Sequence, residues 1–218
     1  MRVPPAPDAA PAILTALAPD PRQPDHRLVE VDRGRLASLP AAALEPLGLE
    51  VGQALAPAVV ARLRELAARA AAERAALRAL ARRGYARADL RRRLLGQHHP
   101  AAAVQVALER LAARELIDDR RFAEQYAALH GSRGHGGARL VKDLLAQGVE
   151  RQVAETAVRQ ALAAEGIDQA ALARAVALKR ARQLGPLPRP TRRRRLLAFL
   201  MRRGYQGAEI RALVEELC

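Results

Sequence analysis

The sequence predicts an all-α fold: an elongated tandem array of three three-helix repeats, preceded by a small N-terminal module with a β-hairpin and a disordered tail. Three observations carry this. The stretch RRGYARADL (82–90) returns almost intact as RRGYQGAEI (202–210), with a related pattern at 140–158 between them. A gapless offset of 50 pairs Leu90 with Leu140, Leu94 with Leu144, Leu95 with Leu145, Gln97 with Gln147 and Leu108 with Val158. A further offset of 56 pairs Leu140 with Leu196, Leu144 with Leu200, Gly148 with Gly204, Ala154 with Ile210 and Val158 with Val214. A period near 50 suits a unit of three helices. Finally, aromatics make up only 2% of the 218 residues, too few for one deep core. A stacked array needs none, because each unit buries its apolar stripe against its neighbours. All five aromatics, Tyr85, Phe122, Tyr126, Phe199 and Tyr205, lie in the proposed repeats and are expected to anchor their packing.

The elements follow in order. Residues 1–25 hold seven prolines, which remove backbone donors and block regular structure, so a disordered tail is expected there. In the module 26–56, Leu28, Val29 and Val31 alternate with polar residues, turn at Arg33-Gly34 and resume at Leu36 and Leu39, as in a hairpin. Pro57 is placed to open a long helix running to about Arg83, which Gly84 ends. A second helix over 87–96 and a third opened by Pro100, with Val104, Leu108 and Leu111 on one face, complete a first repeat over 57–117. The second repeat, 118–166, starts at Asp118-Asp119, either of which can cap a helix bearing Phe122, Tyr126 and Leu129. It continues through 138–147, Gly148 and 150–164. The third, 167–218, begins near Asp168, breaks at GPLPRP (185–190), resumes over 191–203 and closes on the stripe Ile210, Leu213, Val214, Leu217.

The formal charge of +14 rests on arginine, since Lys142 and Lys179 are the only lysines. Such an excess points to a polyanion, nucleic acid or a nucleoprotein surface. Three basic clusters are candidates for contacting it: Arg82, Arg83, Arg91, Arg92 and Arg93; then Arg133, His135, Arg139 and Lys142; then Arg192, Arg193, Arg194, Arg195, Arg202 and Arg203. Arginine suits the role because its fork binds phosphate or carboxylate bidentately, although any single one also reads as a solvated helix face. The run GSRGHGG (131–137) precedes a helix, so it reads either as an inter-helix turn or as amides cradling a phosphate. It lacks the Gly-Lys-Ser/Thr ending of a nucleotide loop.

Catalysis finds little support. His98 and His99 are adjacent rather than four apart and cannot share one helical face as metal ligands do. The only serines are Ser38 and Ser132, the lone Cys218 can form no intrachain disulfide, and no carboxylate pair sits in a catalytic setting. No enzyme, cofactor or metal is expected. Neither a signal core nor a membrane-length apolar run is visible, so a cytoplasmic monomer without a membrane partner is expected.

The segment LIDDRRFAEQYAALHGSRGHGGARLVKDLLAQGV (116–149) resembles the central signature of the RecX family, regulators of the bacterial recombinase RecA. The matching positions are Asp118, Asp119, Phe122, Ala123, Tyr126, Gly136, Leu140, Leu144, Gly148 and Val149, read here as mainly structural. RRRRLLAFLMRRGYQGAEIRALV (192–214) resembles the family's closing unit, and LGLEVGQAL (47–55) is similar to the N-terminal module of longer members. His98-His99-Pro100 departs from the pattern where the second unit has Gly148-Val149. The resemblance implies a helical array lying in the groove of the RecA–single-stranded DNA filament. It implies inhibition of strand exchange and ATP hydrolysis, and restraint of the coprotease action on the SOS repressor. The partners would be that filament, single-stranded DNA and, secondarily, double-stranded DNA. The alternative is a stand-alone basic DNA-binding or architectural protein.

Overall fold

The computed structural model describes residues 11–166 and 168–218. It divides into two compact units, the first running to Arg82 and taking in Arg91–Ala113, the second made of Arg83–Leu90 and Arg114–Cys218.

The first unit opens with a four-stranded antiparallel sheet of order β3-β2-β1-β4. Its strands are β1 (Ala12–Asp20), β2 (Gln23–Val31), β3 (Gly34–Pro40) and the short β4 (Ala54–Leu55). The expected hairpin is β2–β3. Its turn lies one residue earlier than the sequence suggests, at Asp32-Arg33, with φ of 53° and 62°. This is the left-handed pair whose twist matches the strands of a two-residue hairpin. The Ile13 amide donates to Asp32 Oδ1 at 2.8 Å and the Arg33 amide to Thr15 Oγ1 at 3.0 Å, tying the turn to β1.

Strands therefore occupy 12–20 and 23–25, where an unstructured tail to residue 25 is expected; residues 1–10 lie outside the described residues. The prolines mislead because of where they fall. Pro21 occupies the turn, and Pro24 lies off the paired positions of β2, beside the register shift at Pro19/Asp20. Leu14, Val29 and Leu39 meanwhile supply a fully buried face under Leu63. Ser38 Oγ donates to the buried Asp20 Oδ2 at 2.6 Å, and this bond, with the Arg22 amide, holds the Asp20 carboxyl below its ordinary range.

After the short α1 (Ala41–Leu44) come three triplets of helices. The first is α2 (Pro57–Leu80), α3 (Arg87–Gly96) and α4 (Ala101–Ala113); the second α5 (Asp119–Gly131), α6 (Gly137–Gln147) and α7 (Arg151–Ala164). The third is α8 (Gln169–Leu184), α9 (Arg189–Arg202) and α10 (Ala208–Leu217). Most of the apolar positions paired by the offsets of 50 and 56 are core positions, while Leu95 and Leu145 are half-buried and Gln97 is exposed. Leu90, Leu140 and Leu196 are fully buried, as are Leu94, Leu144 and Leu200, while Leu108, Val158 and Val214 expose 4% or less.

The turn after the second helix of each triplet is the same device. Gly148 and Gly204 adopt φ of 88° and 86°, and the next amide reaches back, Val149 N to Leu144 O at 3.1 Å and Tyr205 N to Leu200 O at 3.0 Å. This closes the helix with a left-handed residue and a long backward bond. In the first triplet His98 takes the left-handed place at φ 64°, and His99 N reaches Leu94 O at 3.3 Å. The apparent departure at His98 is thus the same turn built without glycine.

Two sequence inferences need correction. The helix opened by Pro57 ends at Leu80, not near Arg83, and Gly84 is no left-handed cap. Its missing side chain matters because a Cβ would sit 3.3 Å from the Phe122 ring. Nor are the two Arg-Arg-Gly-Tyr stretches equivalent. Residues 82–85 join a first helix to a second, whereas 202–205 join a second to a third. The repeat is real, but the leucine register shows it, and the repeated words fall at different junctions.

Candidate nucleic-acid interface

The joint between the second and third triplets organises much of the basic sequence. Gly136 N donates to Arg203 O at 2.8 Å, Arg139 Nη1 to Arg202 O at 3.0 Å, and Arg203 Nη1 to Gly134 O at 3.3 Å. The backbones touch so closely that a Cβ on Gly136 would lie 2.5 Å from Gly204 O, and one on Gly204 would lie 2.4 Å from Arg139 N. Arg203 also lies over the Phe199 ring at 5.2 Å, with Arg180 near the same ring at 5.3 Å. Arg139 and Arg203 are therefore joint residues, positioned by carbonyls rather than left free for a ligand.

The phosphate-cradle reading of 131–137 loses most of its amides on the same accounting. The amides of Ser132, Arg133, Gly134 and His135 bond to carbonyls within 128–131, and that of Gly136 to Arg203 O. The glycines make a tight turn and a close backbone approach.

The remaining candidates separate into tied and free side chains. Arg83 pairs with Asp89 at 3.2 Å and stacks on the Tyr85 ring at 3.6 Å. Arg192 donates to the Cys218 carbonyl, and Arg193 pairs with Glu215. By contrast Arg82, Arg91, Arg133, Lys142, Arg194, Arg195 and Arg202 are exposed, with no side-chain hydrogen bond or ion pair among the described residues. Arg92 and Arg93 are exposed too, though not without partners. Arg82 and Arg93 line one depression with Arg78 and Gln97. Sequence reasoning passed over Arg78, which sits in the last turn of α2.

His135 is half-buried and stacks on His130, with ring centroids 5.6 Å apart. Burial, then the charges of Arg139 and His130, push its pKa down. Across the same cluster Tyr126 OH donates to Asp143 Oδ2 at 3.4 Å, and Arg139 Nε reaches that oxygen at 3.3 Å. Burial, then the Asp143 charge, raises the Tyr126 phenol. Asp143 was missed by sequence reasoning, although its i,i+4 spacing from Arg139 is readable.

The acidic pair divides its work. Asp118 caps its own helix, accepting from the amides of Arg120 and Arg121 at 2.9 and 3.0 Å. Asp119 accepts instead from the Arg87 amide at 2.7 Å. Phe122 and Tyr126 are half-buried and pack on a core of Ala123, Ala127, Leu140 and Leu144. Tyr85 and Tyr205 are 7% and 4% exposed, so neither offers a ring to a base. Among the described residues no group of three or more His, Cys, Asp or Glu could hold a metal ion, and no helix is long and apolar enough to cross a membrane.

Comparison with known proteins places these features in a family. The family models described as the second and third three-helix domains of RecX match residues 118–158 and 167–214. The regulatory protein RecX of Halorhodospira halophila is 36% identical over 148 residues, covering 67% of this chain and 88% of its own. That of Chromohalobacter salexigens is 37% identical over 136 residues, covering 62% and 86%. A crystal structure of regulatory protein RecX superposes with a TM-score of 0.71 over 94% of this chain and 99% of its own, at 20% identity. RecX from Lactobacillus salivarius gives 0.57 over 69% and 96%. Helix triplets, shared turns and relatives agree: the chain belongs to the RecX family of regulatory proteins.

Proposed function

We propose that this protein regulates, chiefly by inhibition, the cytoplasmic RecA recombinase. In this reading it binds in the groove of the RecA–single-stranded DNA filament and modulates strand exchange, ATP hydrolysis and SOS coprotease activity. The observation that carries the reading is the match along 88% of a regulatory protein RecX. It is supported by strongly basic second helices in the first and third triplets. A helix of 14 residues such as α9 is about 21 Å long. Triplets bearing such helices would contact more than one filament subunit, and bridging subunits resists the motions that accompany ATP turnover. Linked contacts of this kind multiply in strength rather than add.

The free side chains of Arg91, Arg194 and Arg195 also suit a stand-alone DNA-binding protein. Affinity for the assembled recombinase filament, measured beside affinity for naked DNA at matched salt, separates the two. A regulator binds the filament at least tenfold more tightly; equal affinity for filament and bare DNA contradicts the proposal.

A further inference from the structure

Each triplet contains two helices joined by a short turn with a left-handed residue: α6 and α7 across Gly148–Glu150, α9 and α10 across Arg203–Gly207, α3 and α4 across Gln97–Pro100. This is the connection of a helix-turn-helix, a motif that places its last helix in the major groove to read bases. The charges are arranged against that use. Among the third helices, α4 carries Arg110 against Glu109, α7 Arg151 and Arg159 against Glu155, and α10 Arg211 against Glu209, Glu215 and Glu216. In the first and third triplets the second helices are the reverse. Helix α3 sets four arginines against Asp89 and α9 carries six arginines and no acid, whereas α6, with Arg139 and Lys142 against Asp143, has the same balance as α7 and its Arg139 is tied at the joint.

Helix α8 is basic as well, but its Arg174 is ion-paired to Glu216 and its Arg180 lies by the Phe199 ring. The third helices are also sparsely supplied with the side chains that recognise base edges. Base reading needs Arg, Lys, Asn or Gln near the start of the inserted helix. Helix α4 begins Ala101-Ala102-Ala103, with Gln105 bonded to Glu109, and α10 begins Ala208-Glu209 with Arg211 as its one early donor, so only α7, with Arg151 and Gln152, offers donors in its first two positions.

We infer that the chain holds nucleic acid by its phosphate backbone through the second helices α3 and α9, and that its third helices do not enter a groove to read sequence. This rests on the regulator reading and assigns the DNA-facing part of that surface. Phosphate fits better than a protein partner because protein interfaces centre on apolar and aromatic anchors. On α3 and α9 the one exposed large apolar side chain is Met201. No exposed aromatic is there to stack a base, so binding is independent of sequence.

The test is fluorescence anisotropy with labelled single-stranded and duplex oligonucleotides of two unrelated sequences, across a salt series. The variants are Arg194→Ala/Arg195→Ala on α9, Arg91→Ala on α3 and Arg151→Ala/Gln152→Ala on α7, each matched to the parent by circular dichroism melting. The α9 double variant weakens binding equally on both sequences. Its salt dependence becomes shallower by about 1.4 on single strands and about 1.8 on duplex, for two lost phosphate contacts. Arg91→Ala gives half that change, and the α7 variant binds as the parent does. Three outcomes overturn the inference. One is a loss of affinity or of a sequence preference in the α7 variant. Another is a parent chain that binds neither oligonucleotide. The third is an α9 variant that binds DNA normally yet no longer inhibits the recombinase, which would put those arginines on an acidic protein surface. Failure of the regulator reading looks different: DNA binding follows the α9 arginines, but the recombinase is unaffected.

Discussion

The Asp119 carboxylate accepts the Arg87 amide at 2.7 Å, so a residue in the first turn of α5 caps α3, a helix that begins 32 residues earlier. Asp118, beside it, caps α5 itself. One dipeptide therefore closes the start of two helices in two different triplets, and this accounts for an acidic pair where a single cap would serve one helix.

Removing either cap leaves helix-start amides without a partner. Asp119→Ala and Asp118→Ala are each expected to cost about 1 kcal/mol, within the range of about 0.5–2 kcal/mol for lost caps. The two differ in where the loss is felt. In Asp119→Ala, hydrogen exchange at the Arg87 amide accelerates while that at Arg121 does not. Unchanged exchange at Arg87 would show that the cross-triplet bond does not form in solution.

The left-handed position after each second helix gives a test in the opposite direction. His98 holds φ 64° where Gly148 and Gly204 stand in the other triplets. A non-glycine residue there carries about 1 kcal/mol of strain. His98→Gly is expected to raise the denaturation midpoint by an amount worth up to about 1 kcal/mol, whereas Gly148→Ala lowers it similarly. Destabilisation by His98→Gly would mean that the imidazole contributes more than the strain removes.

The close approach of Gly136 and Gly204 tolerates no side chain. A Cβ at either position meets backbone at 2.5 Å or less, and backbone cannot rotate away as a flexible side chain would. Gly136→Ala should separate the third triplet from the second, seen as a split or early thermal transition and as faster exchange at the amide of position 136 than in the parent. A single unshifted transition would contradict the joint.

His135 makes the same region sensitive to acid. Its folded pKa lies below the ordinary value of 6.5 because burial and neighbouring positive charge disfavour the imidazolium. The unfolded chain therefore takes up the proton first, so stability is lost as pH falls through 6.5 toward the folded pKa. Thermal melts from pH 7.5 to 5 should show this decline, and His135→Gln should flatten the part that His135 contributes. An identical slope in parent and variant would remove His135 from the account.

Much of this architecture is legible in the sequence. Leu140, Leu144 and Val158 recur at fixed offsets and prove to be core positions, because an amphipathic helix must present its apolar residues at a 3.6-residue period. The cap at Asp118 is equally local. Misreadings arose where distant partners decide the role. Prolines at 19, 21 and 24 read as disorder, yet they lie in or between strands whose Leu14 and Val29 are buried against α2. Gly84 reads as a helix stop, while its need for a bare Cα comes from Phe122, 38 residues on. Arg139 and Arg203 read as free cations, and only the fold shows their guanidinium groups bound to carbonyls across the joint.

The central claim is tested most directly by the ATPase rate of the host's RecA on single-stranded DNA as this protein is titrated in, beside a naked-DNA binding control at the same salt. Inhibition at concentrations well below that of the recombinase, and below those that coat free DNA, is the predicted result. An ATPase rate that holds until the DNA itself is coated would contradict filament regulation and leave a basic DNA-binding array.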